Sequence, residues 1–248
     1  MSLKTAVLLP AAGSSRRFKG KKKKQFMDID GRAVFLRTVE RFADRDDVVQ
    51  MVMAIPAEDE ELFTIKWGAS LGFHGVKVII GAAERYQTVQ KLLGEVRNDV
   101  DLVALHDAVR PCVTKELIDK VFTAAGETGA AILGHRLVGT IKRAGDDSNI
   151  AETVSRGDLW EAQTPQVFKK EIIYKAYEQI DKVKAEITDD AQLVEAAGFT
   201  VKIVESDASN IKITTKTDIT IAGAILKAQD AKKKPKGPVG PWEAEAQW

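Results

Sequence analysis

The sequence predicts an α/β fold built on a doubly wound, mostly parallel sheet with a protruding β-arm. Two observations carry this prediction. Short, continuous runs of apolar residues recur along the chain. A strand with one exposed face would alternate apolar and polar residues, so these runs indicate parallel strands that are covered on both faces. Segments with apolar residues at helical spacing separate these runs, and such alternation of strand and helix gives right-handed crossovers that place helices on the sheet.

The first part of the chain supplies most of the predicted sheet. Its apolar runs predict strands at Thr5–Leu9, Val48–Ile55, Val76–Ile80, Leu102–Leu105 and Ala130–Leu133. Helical spacing occurs at Phe35, Leu36, Val39 and Phe42, at Val89, Leu92, Leu93 and Val96, and at Leu117, Ile118, Val121 and Phe122.

The regular alternation ends after Leu133. From Gly134 to about Arg156 the chain is polar and includes a β-prone piece at Val138–Lys142, which predicts a hairpin arm outside the main sheet. Regular elements then return, and we expect helices at Glu171–Ile180, Asp189–Ala197 and Asp218–Ala228 and strands at Val201–Val204 and Ile211–Thr214. We expect one domain over residues 1–231 with the arm inside it, and a flexible tail over 232–248, which is rich in proline, glycine and charge.

Composition limits the classes of function. The chain has 248 residues, with 37 Lys and Arg against 36 Asp and Glu, so its net charge of +1 gives no global attraction to nucleic acid or to an anionic membrane. The single cysteine, Cys112, cannot form an intrachain disulfide, which indicates a reducing compartment such as the cytoplasm. No signal peptide and no apolar stretch of bilayer length is visible, so we expect no membrane partner. We expect no nucleic-acid partner either, because the net charge is close to zero.

A cationic segment follows the first predicted strand and its turn at Gly13. Seven of the nine residues from Arg16 to Lys24 are Lys or Arg, which is the chemistry needed to neutralise several phosphate oxygens at once. A solvated basic loop and a nucleic-acid patch are the alternatives. The position directly after a buried strand favours a nucleotide site, because open α/β sheets bind ligands at the carboxyl ends of their strands.

Two further strand ends carry polar groups. Gly81 leads into a helix whose first turn contains Arg85 and Thr88, and helix N-termini attract anions. The alternative is that Arg85 is a surface residue. Asp107 follows the strand Leu102–Leu105 directly, where a lone carboxylate is either a turn former or a Mg²⁺ ligand, and Arg110 offers a planar fork for phosphate.

Weaker signals come from the second half of the chain. Arg156 and Thr164, which precedes a proline, indicate little when taken singly. Lys212 lies in a β-prone run, where a long cation is unexpected unless it reaches solvent or meets an anion. His106 receives no chemical role, because such a residue is more often packed or hydrogen-bonded. Supported Ser-His-Asp or Cys-His sets, zinc patterns and P-loop or dinucleotide glycine motifs are absent from the sequence, which disfavours hydrolases, kinases and dehydrogenases.

Taken in order, these motifs resemble those of the 2-C-methyl-D-erythritol 4-phosphate cytidylyltransferases. The resemblance runs from about residue 5 to 228 and is carried by Leu9-Pro-Ala-Ala-Gly13, Arg17, Lys24-Gln25, Gly81 through Thr88, His106 through Pro111, Thr140-Ile-Lys142, Arg156, Thr164-Pro-Gln166, Ile187-Thr-Asp189 and Asn210 through Thr214. It implies a Rossmann-like core, a CTP-dependent transfer to a sugar-alcohol phosphate with Mg²⁺ or another divalent cation, and a homodimer clasped through the β-arm.

The resemblance also implies roles for individual residues. Those implied to be catalytic are Arg17, Lys24, Arg156 and Lys212. Those implied to bind the nucleotide are Ala11, Ala12, Gly13, Gly81, Arg85, Thr88 and Thr164. Those implied to bind the acceptor are Asp107, Arg110, Thr140, Arg156, Thr188 and Lys212, with Asp107 also facing the metal and with Thr140 and Arg156 entering the partner's site. The alternatives are a ribitol 5-phosphate cytidylyltransferase, a nucleotide-sugar glycosyltransferase on a similar core and a nucleic-acid-binding module.

Overall fold

The computed structural model describes residues 3–13, 26–183 and 185–233. The predicted roles of Arg17 and Lys24 therefore lie outside the described residues, as does most of the predicted tail. Within the described part of the chain, no helix is long and apolar enough to cross a lipid bilayer.

The strands form one large sheet and two small hairpins. In chain order they are β1 (Thr5–Pro10), β2 (Asp28–Ile29), β3 (Arg32–Ala33), β4 (Val48–Ile55), β5 (Val76–Ile80), β6 (Leu102–Leu105), β7 (Ala130–Arg136), β8 (Ile141–Ala144), β9 (Ile150–Val154), β10 (Trp160–Lys169) and β11 (Lys202–Glu205). In the described part of the chain, the large sheet has seven strands in the order β11-β7-β10-β6-β1-β4-β5. Within it only β10 runs antiparallel to its neighbours, which confirms the prediction of a mostly parallel sheet.

Helices cover both faces of this sheet, as predicted for a doubly wound fold. They are α1 (Val34–Ala43), α2 (Glu60–Phe73), α3 (Arg85–Leu93), α4 (Lys115–Thr128), α5 (Lys170–Glu178), α6 (Asp190–Ala196) and α7 (Lys216–Lys233). The apolar sides of α1, α2 and α4 pack on one face, while α3, α5 and α6 pack on the other. In β1, side chains point alternately to the two faces of the sheet. Val7 and Leu9 lie in the core formed with α1, α2 and α4, and Ala6 and Leu8 lie in the core formed with α3, α5 and α6.

A third apolar cluster attaches α7 to the rest of the fold. Ala222 and Leu226 of α7 pack with Val109 and Cys112, which follow β6, and with Ile29 of the β2–β3 hairpin. That hairpin turns through Asp30 and Gly31, whose φ angles of 47° and 74° are those that an Asp-Gly turn favours. The cluster holds the chain just before α7 against the carboxyl end of β6.

The predicted arm is a separate hairpin. β8 and β9 pair antiparallel from Ile141 opposite Val154 to Ala144 opposite Ile150. Apart from Ile141 and Val154, which are partly covered, the residues of these two strands are exposed. The arm continues from the outer ends of β7 and β10, where Arg136 is paired with Trp160.

Three parts of the fold differ from the sequence prediction. Ile211–Thr214 is expected as a strand, but among the described residues its only backbone hydrogen bond to another segment runs from the Ile213 N–H to the Val109 carbonyl, at 2.9 Å. Its apolar side chain, Ile213, is buried in the α7 cluster instead of in a ladder. The helix α2 and the long strand β10 were not predicted, although Phe63, Trp67 and Leu71 of α2 are buried at helical spacing.

Candidate active site

The carboxyl ends of four neighbouring strands meet at one edge of the sheet. The Ala11 N–H donates to the Ala54 carbonyl at 2.8 Å, and the Gly81 N–H donates to the Ile55 carbonyl at 2.8 Å. On the other side of β1, the His106 N–H donates to the Leu8 carbonyl at 3.0 Å. This edge is where open α/β sheets bind ligands, because successive crossovers leave on opposite faces and open a crevice between them.

A pocket opens at that edge. It is lined by three loops and one side chain from the segment before α7: Pro10, Ala11, Ala12, Gly13, Ala82, Ala83, Glu84, Arg85, Thr88, Asp107, Ala108, Val109 and Lys212. The structure therefore brings together seven of the residues that the sequence indicated, namely Ala11, Ala12, Gly13, Arg85, Thr88, Asp107 and Lys212.

Gly81 lets two of these loops approach each other. A Cβ atom at Gly81 would lie 2.4 Å from the Ala12 Cβ and 3.1 Å from the Thr88 hydroxyl oxygen, which is too close for any side chain. The Thr88 hydroxyl is buried and holds the loop that follows Gly81. It accepts from the Ala82 N–H at 2.9 Å and donates to the Ala82 carbonyl at 3.2 Å. Gly81 and Thr88 thus shape the pocket wall, and the Thr88 hydroxyl is occupied within the chain.

Asp107 supplies a buried negative charge at the pocket wall. Its Oδ2 atom lies 2.9 Å from the Lys212 Nζ atom and 3.2 Å from the Arg110 Nε atom. Burial alone would raise the pKa of Asp107, but Lys212, Arg110 and Arg85 together hold it well below its ordinary value. The carboxylate is therefore ionised over the whole physiological pH range, and two cations are fixed beside it.

Buried polar groups hold Asp107 from behind. The Asp107 N–H donates to the Thr164 hydroxyl at 3.0 Å, and that hydroxyl is 3.2 Å from the His106 Nδ1 atom. The His106 Nε2 atom lies 3.1 Å from the Arg110 carbonyl, which can only accept, so Nε2 carries the hydrogen and Nδ1 accepts from Thr164. Burial lowers the pKa of His106 to about 4, and the ring is neutral at pH 7. The prediction that His106 is a packed, hydrogen-bonded residue is confirmed.

Arg110 and Thr164 lie beneath the pocket instead of lining it. The Arg110 Nη1 atom donates to the Asn210 carbonyl at 2.8 Å, and the Asn210 amide donates to the Thr164 carbonyl at 3.0 Å. Arg110 is only 4% exposed. These bonds tie the segment that carries Lys212 to the end of β6 and to β10, so both residues support the groups that face the pocket.

The partner of Arg85 could not be identified from the sequence. Its guanidinium forms a bidentate pair with Asp190 at the start of α6, with distances of 3.0 and 2.5 Å. Asp190 is fully buried, whereas the Arg85 side chain is 30% exposed. Asp190 directly follows the motif Ile187-Thr-Asp189, but nothing local connects it with Arg85, since the two segments meet only through the fold.

Three further predicted site residues do not line the pocket of this chain. Thr140 and Arg156 are exposed on the arm, at the start and the end of the β8–β9 hairpin. Thr188 is exposed before α6, where its N–H and hydroxyl donate to the Gln192 Oε1 atom at 2.8 and 3.1 Å.

The chemistry of the pocket fits a divalent cation that arrives with a phosphorylated ligand. Among the described residues, no group of three or more His, Cys, Asp or Glu side chains could hold a metal on its own. Asp107 supplies one ionised carboxylate at the pocket wall. Mg²⁺ is commonly bound by one or two carboxylates together with substrate phosphates and water, so one carboxylate suffices when the ligand brings the other oxygens.

Comparison with known proteins decides the family. The model of the 2-C-methyl-D-erythritol 4-phosphate cytidylyltransferase family matches residues 5–228. The chain belongs to this family. It is therefore an enzyme, a CTP-dependent nucleotidyltransferase whose reaction joins CTP and 2-C-methyl-D-erythritol 4-phosphate into CDP-methylerythritol with release of pyrophosphate.

Individual cytidylyltransferases agree with the family match. The enzyme of Endomicrobium trichonymphae is 37% identical over 226 residues, which cover 91% of this chain and all of the relative. That of Rhodopirellula baltica is 39% identical over 232 residues, or 89% of this chain and 94% of the relative.

Solved structures show the same fold. The 4-diphosphocytidyl-2C-methyl-D-erythritol synthase of Anaerococcus prevotii superposes with a TM-score of 0.78 at 28% identity, covering 91% of this chain and 97% of that one. The cytidylyltransferase of Thermus thermophilus has a TM-score of 0.75 at 29% identity, covering 92% and 100%. The predicted Rossmann-like fold and the predicted family are confirmed.

Proposed function

We propose that the pocket at the ends of β1, β5 and β6 is the site where CTP and 2-C-methyl-D-erythritol 4-phosphate react. Ala11, Ala12 and Gly13 form one wall for the nucleotide, and the Gly81–Thr88 segment forms the other. The observation that carries this assignment is the charged cluster at the pocket, in which Asp107 lies 2.9 Å from Lys212 and 3.2 Å from Arg110.

Transfer of a cytidylyl group to a phosphate requires fixed positive charge at the site more than it requires a general base from the protein. A phosphomonoester has a second pKa of about 6, so the acceptor phosphate is largely a dianion at pH 7 and is already nucleophilic. It attacks the α-phosphorus of CTP in line, the bond to the β-phosphate breaks, and pyrophosphate leaves. Negative charge grows on the α-phosphate and on the leaving group, and preorganised cations stabilise it. We assign this role to Lys212 together with Arg17 and Lys24.

We further propose that Mg²⁺, or another divalent cation, is held by Asp107 and the phosphates of CTP. The bound metal supplies Lewis-acid neutralisation of the triphosphate. Asp107 serves this role because its pKa lies below the ordinary range and it is therefore always ionised at working pH.

The acceptor side of the site is proposed to involve a second subunit. Thr140 and Arg156 lie on the exposed arm, and the arm also exposes the apolar side chains Val138, at 70%, and Ile150, at 65%. Exposed apolar residues on a protruding hairpin favour association with another protein surface. A homodimer joined through the arm would bury them and bring Arg156 to the partner's pocket.

A reducing compartment, the cytoplasm, suits this enzyme. Cys112 is buried and free, and burial raises the pKa of its thiol to about 11, which leaves it unreactive in such a setting.

The deciding experiment is an acceptor panel with CTP and Mg²⁺. Purified enzyme is offered 2-C-methyl-D-erythritol 4-phosphate, ribitol 5-phosphate or no acceptor, and both pyrophosphate and the CDP-linked product are quantified. We expect product with the methylerythritol phosphate, much less with ribitol 5-phosphate, and none when a chelator removes the metal. Preference for ribitol 5-phosphate would show that this compound, and not the methylerythritol phosphate, is the acceptor. Unchanged turnover in the presence of the chelator would reject the proposed role of the metal.

A further inference from the structure

Arg85 is the first residue of α3, and a carboxylate from a segment distant in sequence fixes its guanidinium. The Nη1 and Nη2 atoms contact the two oxygens of Asp190 at 3.0 and 2.5 Å. Such a bidentate pair fixes both the position and the plane of the guanidinium. It uses two of the five N–H donors of arginine, so three remain for a ligand in the pocket that Arg85 lines.

Asp190 is itself held from two other directions. The Tyr177 hydroxyl donates to its Oδ1 atom at 2.8 Å, and the Asp190 N–H donates to the Gln166 Oε1 atom at 3.1 Å. Gln166 is paired with Leu105 in the β10–β6 register, directly before the segment that carries Asp107. The carboxylate that holds Arg85 is therefore anchored to the same part of the sheet that places Asp107.

The difference in exposure between the two partners indicates which of them meets the ligand. Asp190 is fully buried and cannot contact a molecule in the pocket, whereas the Arg85 side chain is 30% exposed. An unpaired arginine at this position would lose rotamer freedom each time a ligand bound. The pair removes that cost in advance, because the side chain is already confined when the ligand arrives.

We propose that Asp190 is a positioning residue for the nucleotide: it fixes Arg85 on the pocket wall so that the remaining guanidinium donors face CTP. The proposal rests on the assignment of this pocket to CTP. It goes beyond that assignment because it gives a role to a residue that no ligand can contact, and it predicts that substitution of Asp190 changes CTP affinity through Arg85.

The test is Asp190→Asn in the full chain. This change keeps the shape of the side chain but removes its charge and one acceptor for Arg85. CTP binding is measured by calorimetry with Mg²⁺, together with KM and kcat for both substrates. We expect the Kd and KM for CTP to rise by about tenfold or more, as for loss of one charge-assisted hydrogen bond, while kcat and the KM of the acceptor change by about twofold at most.

Asp99→Asn is the matched control. Asp99 is an aspartate paired with Arg97 and Lys4 in the exposed loop before β6, at the opposite edge of the sheet, so CTP affinity should not change. A merely structural role of Asp190 would lower stability and would affect both substrates equally.

A second comparison separates action through Arg85 from a general effect. Arg85→Met and the double variant Arg85→Met with Asp190→Asn should bind CTP equally weakly, because the effect of Asp190 disappears once Arg85 is gone. If Asp190→Asn does not fold, Arg85→Lys replaces it, since lysine keeps the charge but loses the fork, and it should weaken CTP binding to a similar degree.

Folded Asp190→Asn enzyme with the CTP affinity of the wild type would overturn the proposal, as would a double variant that binds CTP much more weakly than Arg85→Met. If Arg85→Lys has to be used, unchanged CTP affinity in that variant would also overturn it. Failure of the wild type to bind CTP is a different result, because it rejects the assignment of the pocket itself.

Discussion

Lys212 and Asp107 form an ion pair of 2.9 Å between the segment before α7 and the end of β6. Arg110 contacts the same carboxylate oxygen at 3.2 Å, so one anion fixes two cations. The Lys212 side chain remains 34% exposed and lines the pocket, whereas that of Arg110 is 5% exposed and lies beneath it. Lys212 is thus the cation of this trio that can meet a phosphate group without a change of fold.

Replacement of Lys212 by methionine should lower turnover by at least about a hundredfold, as observed when one preorganised charge-stabilising donor is removed from a transition state. The fold should survive, because Asp107 keeps its contact with Arg110. Pyrophosphate release at saturating CTP measures the effect. Lys227→Met is the matched control, since Lys227 is also a paired lysine but lies on the exposed side of α7, 3.4 Å from Asp30. Turnover within a fewfold of wild type in Lys212→Met would reject the catalytic role.

A methyl group at Gly81 should disturb the nucleotide pocket. The added Cβ would lie 2.4 Å from the Ala12 Cβ, so the two loops must separate. We expect Gly81→Ala to cost about 1–3 kcal/mol in the free energy of unfolding and to raise the KM for CTP. Gly68→Ala is the control, because its Cβ would meet nothing within 4 Å and alanine favours the α2 helix. Equal CTP kinetics in both variants would show that the close approach of the loops is dispensable.

The buried histidine should make stability depend on pH. The pKa of His106 is about 4 in the folded protein against an ordinary value of 6.5, so the unfolded chain binds a proton more readily between these values. Stability should therefore be complete above pH 6.5 and decrease as the pH falls towards 4. The contribution of this residue is about 3 kcal/mol over that window.

Urea unfolding at several pH values tests this expectation. His106→Gln keeps a donor for the Arg110 carbonyl but does not titrate, so it should be less stable at pH 7 and less sensitive to pH between 6.5 and 4. Comparison of the two slopes removes the contribution of the other acidic groups. Parallel slopes would contradict a neutral, buried imidazole.

The parts of the fold that could be predicted are those for which local sequence decides the structure. Both predicted ends of the strand Val48–Ile55 match the structure, because this mostly apolar run is bounded by charged residues on one side and by a proline on the other. Ile211–Thr214 is also β-prone but is not a strand, because Ile213 is buried against α7, which lies later in the chain. β10 is not predicted because its first half lacks an apolar run: Glu161 and Ala162 are exposed where the strand leads into the arm, and the buried Gln163 and Thr164 that follow are polar.

The same division applies to the site. Asp107 and Lys212 could be singled out from the sequence, since a carboxylate after a buried strand and a long cation in a β-prone run are each unusual. Their pairing could not be predicted, because it depends on α7 holding the preceding segment against β6. The Arg85–Asp190 pair depends in the same way on the packing of α3, α5 and α6 on one face of the sheet.

The final prediction tests whether the arm acts on a second subunit. Arg156 is exposed and does not line the pocket of its own chain, whereas Lys212 does. If Arg156 serves the partner's pocket, Arg156→Ala and Lys212→Met homodimers should each be nearly inactive. A heterodimer of the two variants should contain one pocket with both an intact Lys212 and an intact partner arginine. Mixing the chains under conditions of subunit exchange should therefore restore activity.

The size of the recovery follows from counting sites. Random exchange of equal amounts makes about half of the dimers mixed, and each mixed dimer has one of its two sites intact, so activity should approach about one quarter of the wild type. Pyrophosphate release measures the recovery, and sedimentation confirms that the dimers exchange. Mixing Lys212→Met with Arg110→Ala is the control, because both of those residues act within their own chain and neither mixed site is complete. Exchange without recovery in the first mixture would place Arg156 outside the partner's pocket.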